Sequence, residues 1–318
     1  MRIFVTGPTG FAGAHLVEGL LLAGHEVFGL VHPATSHQPY PQAAAFHALP
    51  GDLLDGEALK QLLAEVEPEV IYHLAGQAYT NRSWQNPSLT LAVNTGGTLN
   101  ILEAARSVGR PRVVMVTSAD MYGGIRPNQL PITERTQPQP SHPYAVSKLA
   151  AAWLAPIYWQ HYSLPVIEAR PFNHLGPKQA LGFVAPDFAS QIAAIRLGQQ
   201  APVIRVGNLS AERDFTDVRD VVAAYQRLAE AGRPGQTYLV SSGRAIAIRA
   251  ILDTLIELAG VNIDCVPDPD RLRPVETPRL FGSYAKIQRH VGWQPTIPLR
   301  ETLQTVLDEW LARLQAPA

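Results

Sequence analysis

Apolar residues in the first half of the chain come in short, almost uninterrupted runs: RIFVT (2–6), EVFGLV (26–31), EVIYHLA (69–75), RVVMVTS (112–118) and PVIEAR (165–170). β-branched runs of this kind, apolar at consecutive positions, are what parallel strands buried on both faces require. Between them lie stretches with helical spacing near 11–23, 55–65, 90–108 and 144–162. Strand–helix–strand alternation over this length predicts an α/β chain with a doubly wound parallel sheet. After about residue 172 the pattern changes. Helices are expected at 183–198, 217–231, 246–259 and 300–315, with short strands at 202–207 and 237–241. This predicts a second, smaller C-terminal α/β lobe, with the cleft between the two as the site.

Composition narrows the partners. The chain has 318 residues with a formal net charge of −1, so nothing electrostatic points to nucleic acid or an anionic membrane. A single cysteine, Cys265, excludes an intrachain disulfide and reads as a small buried hydrophobe. The chain opens directly into RIFVTG, and no apolar run reaches membrane-spanning length, which predicts a soluble cytoplasmic protein. Prolines gather in 125–143 and 266–278, expected to be long ordered loops. No His/Cys/carboxylate cluster has metal-ligand spacing, so no metal is expected.

The first chemical signal is VTGPTGFAG, which follows the first strand and opens the first helix. Gly7, Gly10 and Gly13 permit a tight turn, close approach of a pyrophosphate and close helix–strand packing. The helix end adds free N–H groups and partial positive charge. The fold expected is therefore Rossmann-like, with NADP(H) or NAD(H) as cofactor. An acid after the second strand would select NAD and an arginine NADP. The stretch LVHPATSH has neither; His32, Thr35, Ser36 and His37 either bond a phosphate or cover the adenosine. Asp52 either reaches the adenine edge or caps the helix at 55–65.

The second signal is SHPYAVSKLAAAW. Tyr144 stands four residues before Lys148, slightly more than one turn, so both side chains share a helix face. The only lysines are Lys60, Lys148, Lys178 and Lys286. Ser118 ends the strand before this helix, at the C-terminal sheet edge where ligands of open α/β sheets bind. A phenol pKa lies near 10, and a nearby ammonium is expected to favour the phenolate. A serine hydroxyl holds the reacting oxygen while the phenol exchanges its proton.

TGPTGFAG, YHLAGQA, VNTGGTLNILEA, TSADMYG, PYAVSK and RPFNHLGP, in this order, resemble the extended short-chain dehydrogenase/reductase family acting on nucleotide sugars. The resemblance covers almost the whole chain. VGNLSAERDFTDVRD, LRPVETPRLFGS and GWQPTIPL are most similar to the family's GDP-6-deoxy-D-mannose (GDP-4-keto-6-deoxy-D-mannose) reductase branch. The resemblance implies catalysis by Ser118, Tyr144 and Lys148. It implies a division into a dinucleotide-binding part, 1–172, and a mainly nucleotide-sugar-binding lobe, 173–318, with later segments adding strands to the sheet. The implied reaction is NAD(P)H-dependent reduction of the C4 ketone of a nucleotide-linked 4-keto-6-deoxyhexose, GDP-4-keto-6-deoxy-D-mannose to GDP-D-rhamnose.

Relatives that are GDP-mannose 4,6-dehydratases carry a glutamate where this chain has Asp120, an auxiliary candidate one methylene shorter. This departure favours the reductase; a dehydratase or 4-epimerase stays open as the alternative, with Asp120 reaching C5 through a water, and a non-catalytic dinucleotide sensor as the second. The candidate cofactor set is Gly7, Gly10, Phe11, Gly13, His32, Asp52 and Leu53, then Leu74, Ala75, Gly76, Tyr144, Lys148 and Pro171. The candidate substrate set is Ser118, Asn173, Arg205, Arg213, Arg273 and Glu276. His15, His73 and His174 are read as structural. The alanine-rich helices 90–108 and 144–162 correspond to those that pair as a four-helix bundle in relatives, implying a homodimer. Pro156 predicts a kink in the second.

Overall fold

A computed structural model describes residues 1–33, 41–268 and 277–315. The first half runs β1 (Arg2–Thr6), α1 (Phe11–Leu22), β2 (Glu26–Val31), β3 (Phe46–Pro50), α2 (Gly56–Val66) and β4 (Val70–His73). Then come α3 (Thr80–Gln85), α4 (Pro87–Leu91), α5 (Gly97–Ser107), β5 (Arg112–Val116), α6 (Pro143–Tyr162) and β6 (Val166–Pro171). The second half runs β7 (Asn173–Leu175), α7 (Val184–Arg196), β8 (Val203–Val206), β9 (Glu212–Arg213), β10 (Phe215–Asp217), α8 (Val218–Ala231) and β11 (Thr237–Val240). It ends in β12 (Ile246–Ala247), α9 (Ile248–Ala259), β13 (Asp264–Pro267), β14 (Arg279–Leu280), α10 (Ala285–Val291) and α11 (Leu299–Gln315).

Seven parallel strands form the main sheet in the order β11-β6-β5-β4-β1-β2-β3. The five apolar runs are its centre, because each strand there buries both faces. One core layer packs α1 and α8 on the sheet through Leu16, Val17, Val221 and Tyr225. The other packs α2, α5 and α6 through Leu59, Leu63, Ile101 and Ala155. The chain order reverses between β1 and β4, which opens a crevice at their carboxyl ends.

β3 was not expected. FHALP is an edge strand, half-exposed, and His47 leans on the Phe28 ring while meeting Glu26 at 3.0 Å, so its apolar signal is weak. β11 lies late in the chain but pairs with β6, so residues from both halves build the sheet. The smaller lobe packs α7, α9 and α11 around a separate core that includes Ile192, Leu252 and Leu303. Parallel β8 and β13 flank it, and Cys265 on β13 is only partly buried, because that sheet has two strands.

The expected helix at 90–108 is helical through Ser107, with one irregular turn. A π-helical turn, Ala92–Gly96, separates α4 from α5. The expected helix at 144–162 is continuous from Pro143 to Tyr162 and runs through Pro156. No described helix is long and apolar enough to cross a membrane.

Candidate functional site

A cleft of about 1120 Å³ opens at the carboxyl ends of the sheet and extends under the smaller lobe. The glycine loop forms its floor. Gly7 has φ +72°, and a Cβ there would lie 3.0 Å from the backbone of Ala75. A Cβ on Gly13 would lie 1.9 Å from the Gly7 carbonyl oxygen, so only glycine lets α1 start so close to β1. The N-cap, Gly10, brings no side-chain acceptor to the first turn, whose N–H groups have no intrahelical partner. A diphosphate suits such an end.

Every described member of the candidate cofactor set lines this cleft: Gly7, Gly10, Phe11, Gly13, His32, Asp52 and Leu53 at one end. Leu74, Ala75, Gly76, Tyr144, Lys148 and Pro171 continue it. Asp52 is not the helix cap; Asp55 is, accepting from the Ala58 N–H at 3.0 Å. Asp52 instead accepts from Leu54 N–H at 2.9 Å and lies 3.6 Å from His32. Thr35, Ser36, His37, Arg273 and Glu276 lie outside the described residues.

Ser118 and Tyr144 come from different elements, the end of β5 and the first turn of α6, and both line the cleft. Lys148, one turn further along α6, is buried and donates to the Val116 carbonyl at 3.1 Å. Asp120 lines the same wall, and its N–H donates to Ser118 Oγ at 3.1 Å. The titration differs from the sequence expectation. Burial pushes the Tyr144 phenol up, the Asp120 charge pushes it further, and the opposing pull comes from the Ser118 side chain. Lys148 is itself desolvated, which lowers its ammonium to about 8.

On the lobe side, Asn173 at the start of β7 and Arg213 on β9 line the cleft, and Arg213 Nη1 donates to the Glu212 carbonyl at 2.8 Å. Arg205 stands exposed on β8, outside the cleft walls, because alternation along that strand turns Ile204 and Val206 inward instead. His174 stacks on Phe11 with ring centroids 5.7 Å apart, and His15 bonds the Pro177 carbonyl at 2.9 Å. Among the described residues, no three His, Cys, Asp or Glu side chains gather around a point where a metal ion would sit.

Two polar groups beside the cleft were missed. Asn94, in the π-helical turn, accepts from Gln77 N–H at 2.8 Å and donates to Ser147 Oγ at 2.9 Å. It lies next to the lysine: a Cβ on Gly76 would be 2.8 Å from Asn94 Oδ1 and 3.4 Å from Lys148 Nζ. The available signal was Asn-Thr-Gly-Gly inside an otherwise helical stretch, four poor helix formers in a row. Asp214, beside Arg213, accepts from the N–H groups of Ser242 at 2.7 Å and of Gly243 and Gly282 at 3.2 Å. It ties three segments of the lobe side together, which no local pattern announces.

The family model described as GDP-mannose 4,6 dehydratase matches residues 4–306. The GDP-6-deoxy-D-mannose reductase of Pseudomonas aeruginosa is 38% identical over 99% of this chain and 98% of its own length. The solved structure of RMD from Pseudomonas aeruginosa complexed with NADPH superposes with a TM-score of 0.85 at 38% identity, covering 98% of this chain and 99% of that one. That of DesIV, a dTDP-glucose 4,6-dehydratase from Streptomyces venezuelae with NAD and TYD bound, gives 0.85 at 26% identity, over 98% and 97%. With a Rossmann-like sheet, a glycine cradle and a matching model over nearly its full length, this chain belongs to the GDP-mannose 4,6 dehydratase family of the extended short-chain dehydrogenases/reductases.

Proposed function

We propose that the protein is an NAD(P)H-dependent oxidoreductase that reduces the C4 ketone of a GDP-linked 4-keto-6-deoxyhexose, yielding GDP-D-rhamnose. The observation that carries the reading is the convergence of Ser118, Tyr144 and Lys148, from two different elements, on one cleft. The similarity to a GDP-6-deoxy-D-mannose reductase over both full lengths supports the substrate class.

The residues present fit a dinucleotide. The first turn of α1 offers N–H groups to its diphosphate, and Gly7 and Gly13 keep side chains out of its path. The described end of β2 carries His32 and Pro33 rather than a carboxylate, which favours NADP(H). When bound, the reduced nicotinamide supplies the hydride for C4. Tyr144 gives its proton to the C4 oxygen as negative charge develops there, and Ser118 holds that oxygen by a hydrogen bond. Reduction needs a protonated phenol at neutral pH, and burial keeps Tyr144 in that form. Lys148 brings a positive charge to the same wall. In this reading residues 1–172 hold the dinucleotide and 173–318 mainly hold the nucleotide sugar. Asn173 and Arg213 meet the diphosphate, where a guanidinium fork matches paired oxygens.

A second reading, a 4,6-dehydratase, has one observation in its favour: the Asp120 carboxylate lines the wall beside Ser118. Two incubations separate the readings. The reductase consumes NADPH with GDP-4-keto-6-deoxymannose and leaves GDP-mannose untouched. Formation of ketone from GDP-mannose without added reductant would replace the first reading by the second.

The reading extends to a homodimer in the cytoplasm. On α6, Val146, Trp153 and Ile157 are 44%, 63% and 50% exposed at spacings of seven and four, a single apolar face. Leu99 on neighbouring α5 adds to it. Two copies of α5 and α6 paired across a two-fold would cover that surface as a four-helix bundle.

A further inference from the structure

Glu168 and Arg170 lie two residues apart on β6, so both leave the same face of the sheet. Both are almost fully buried. Arg170 Nε donates to Glu168 Oε1 and Nη2 to Oε2, each at 2.9 Å. A buried ion pair adds little net stability over well-packed apolar side chains, because desolvating two charges offsets their attraction. What its remaining polar atoms hold is therefore informative. Glu168 Oε1 accepts the Thr117 hydroxyl and Oε2 the Thr237 hydroxyl, both at 2.6 Å. Arg170 Nη1 donates to the Tyr122 hydroxyl.

Thr117 immediately precedes Ser118, and Tyr122 ends the 3₁₀ turn Ala119–Tyr122 that Ser118 caps. The segment presenting Ser118 and Asp120 is thus tied at both ends to one internal ion pair. Thr237 on β11 anchors that pair from the opposite strand. Neither Glu168 nor Arg170 belongs to the cleft wall.

We propose that the Glu168–Arg170 pair is a positioning device for Ser118, acting through Thr117 and Tyr122. It rests on the reading that Ser118 holds the reacting oxygen. Tyr144 lines the same cleft from α6, a different element, so proton transfer requires the two elements to keep a fixed separation. Displacements of about 1 Å cost rate far more than they cost binding. A charged pair suits the task because its hydrogen bonds are directional and fix where the Thr117 and Tyr122 hydroxyls sit.

The test uses Tyr122→Phe, which removes one hydroxyl from a ring outside the cleft wall, and Thr117→Val. Amide exchange across residues 118–123 is followed by mass spectrometry, alongside steady-state kinetics with NADPH and GDP-4-keto-6-deoxymannose. Exchange is expected to rise about tenfold and kcat to fall roughly ten- to hundredfold, with KM for the nucleotide sugar and Kd for NADPH within about threefold. Thr117→Ser, which keeps the hydroxyl, restores both readouts. Unchanged exchange and kcat in folded Tyr122→Phe would overturn the proposal. So would a raised KM with kcat intact, which makes the segment a binding surface. If Tyr122→Phe does not accumulate folded, Thr117→Val decides on the same criteria. Exchange needs no turnover, so an inactive wild-type protein would remove the reductase reading and still leave the brace decided.

Discussion

Lys148 Nζ donates to the carbonyl oxygen of Val116 at 3.1 Å, which fastens α6 to the end of β5 two residues before Ser118. The lysine is therefore a spacer between two elements as well as a charge. Burial is the cause of its lowered pKa, about 8.

That value sets a pH dependence. The ammonium is lost as pH rises through about 8, so kcat/KM should fall there if the charge is needed. Lys148→Arg keeps its cation far above this range and should remove that limb while lowering the plateau. A limb near 8 that survives in Lys148→Arg would assign it to another group.

Tyr144→Phe deletes the proton donor and little volume. kcat should fall by about 10²–10⁴, the range of general acid catalysis. The NADPH and GDP-sugar dissociation constants, measured by titration calorimetry, should stay within about threefold, because the phenyl ring still fills its place on the wall.

His73 should govern acid stability. Its Nδ1 lies 2.8 Å from Thr6 Oγ1 and its Nε2 2.9 Å from Thr98 Oγ1, fully enclosed. Burial and then the Lys148 charge lower its pKa from 6.5 to about 3. The unfolded chain then binds more protons than the native one, so stability falls as pH drops below about 6.5 toward 3. A few kcal/mol, roughly, is at stake. Urea unfolding between pH 7 and 4.5 should show a shallower loss for His73→Gln. The comparison isolates His73 from Asp214, whose burial raises its carboxyl to about 6 and whose effect has the opposite sign.

Glycines differ in what they permit. Gly13→Ala should abolish NADPH binding or folding, because its Cβ would meet the Gly7 carbonyl oxygen at 1.9 Å. Gly96→Ala, with nothing within 4 Å, should be neutral or stabilise by up to about 1 kcal/mol. Thermal melting with and without NADPH separates the two.

Trp153→Glu places a charge on the most exposed apolar position of α6, 63% accessible. Sedimentation should change from dimer to monomer, with the melting temperature of the monomer measured in parallel. A wild-type monomer at micromolar concentration would remove the dimer.

The strand centres, the glycine loop and the Tyr144–Lys148 pair were legible because each depends on residues close in sequence. Periodicity reports which faces a segment must bury, and one helical turn fixes a pair four residues apart. The amino-acid sequence by itself thus determined the parallel sheet, the glycine cradle and the shared helix face of Tyr144 and Lys148. Tertiary structure alone decided that β11 pairs with β6 at the sheet edge and that Arg205 faces away from the cleft. It also set the Tyr144 protonation preference, which depends on how much water the fold removes rather than on which residues lie nearby in the chain. Burial and strand pairing between distant segments are properties of the assembled core, and a local pattern carries neither.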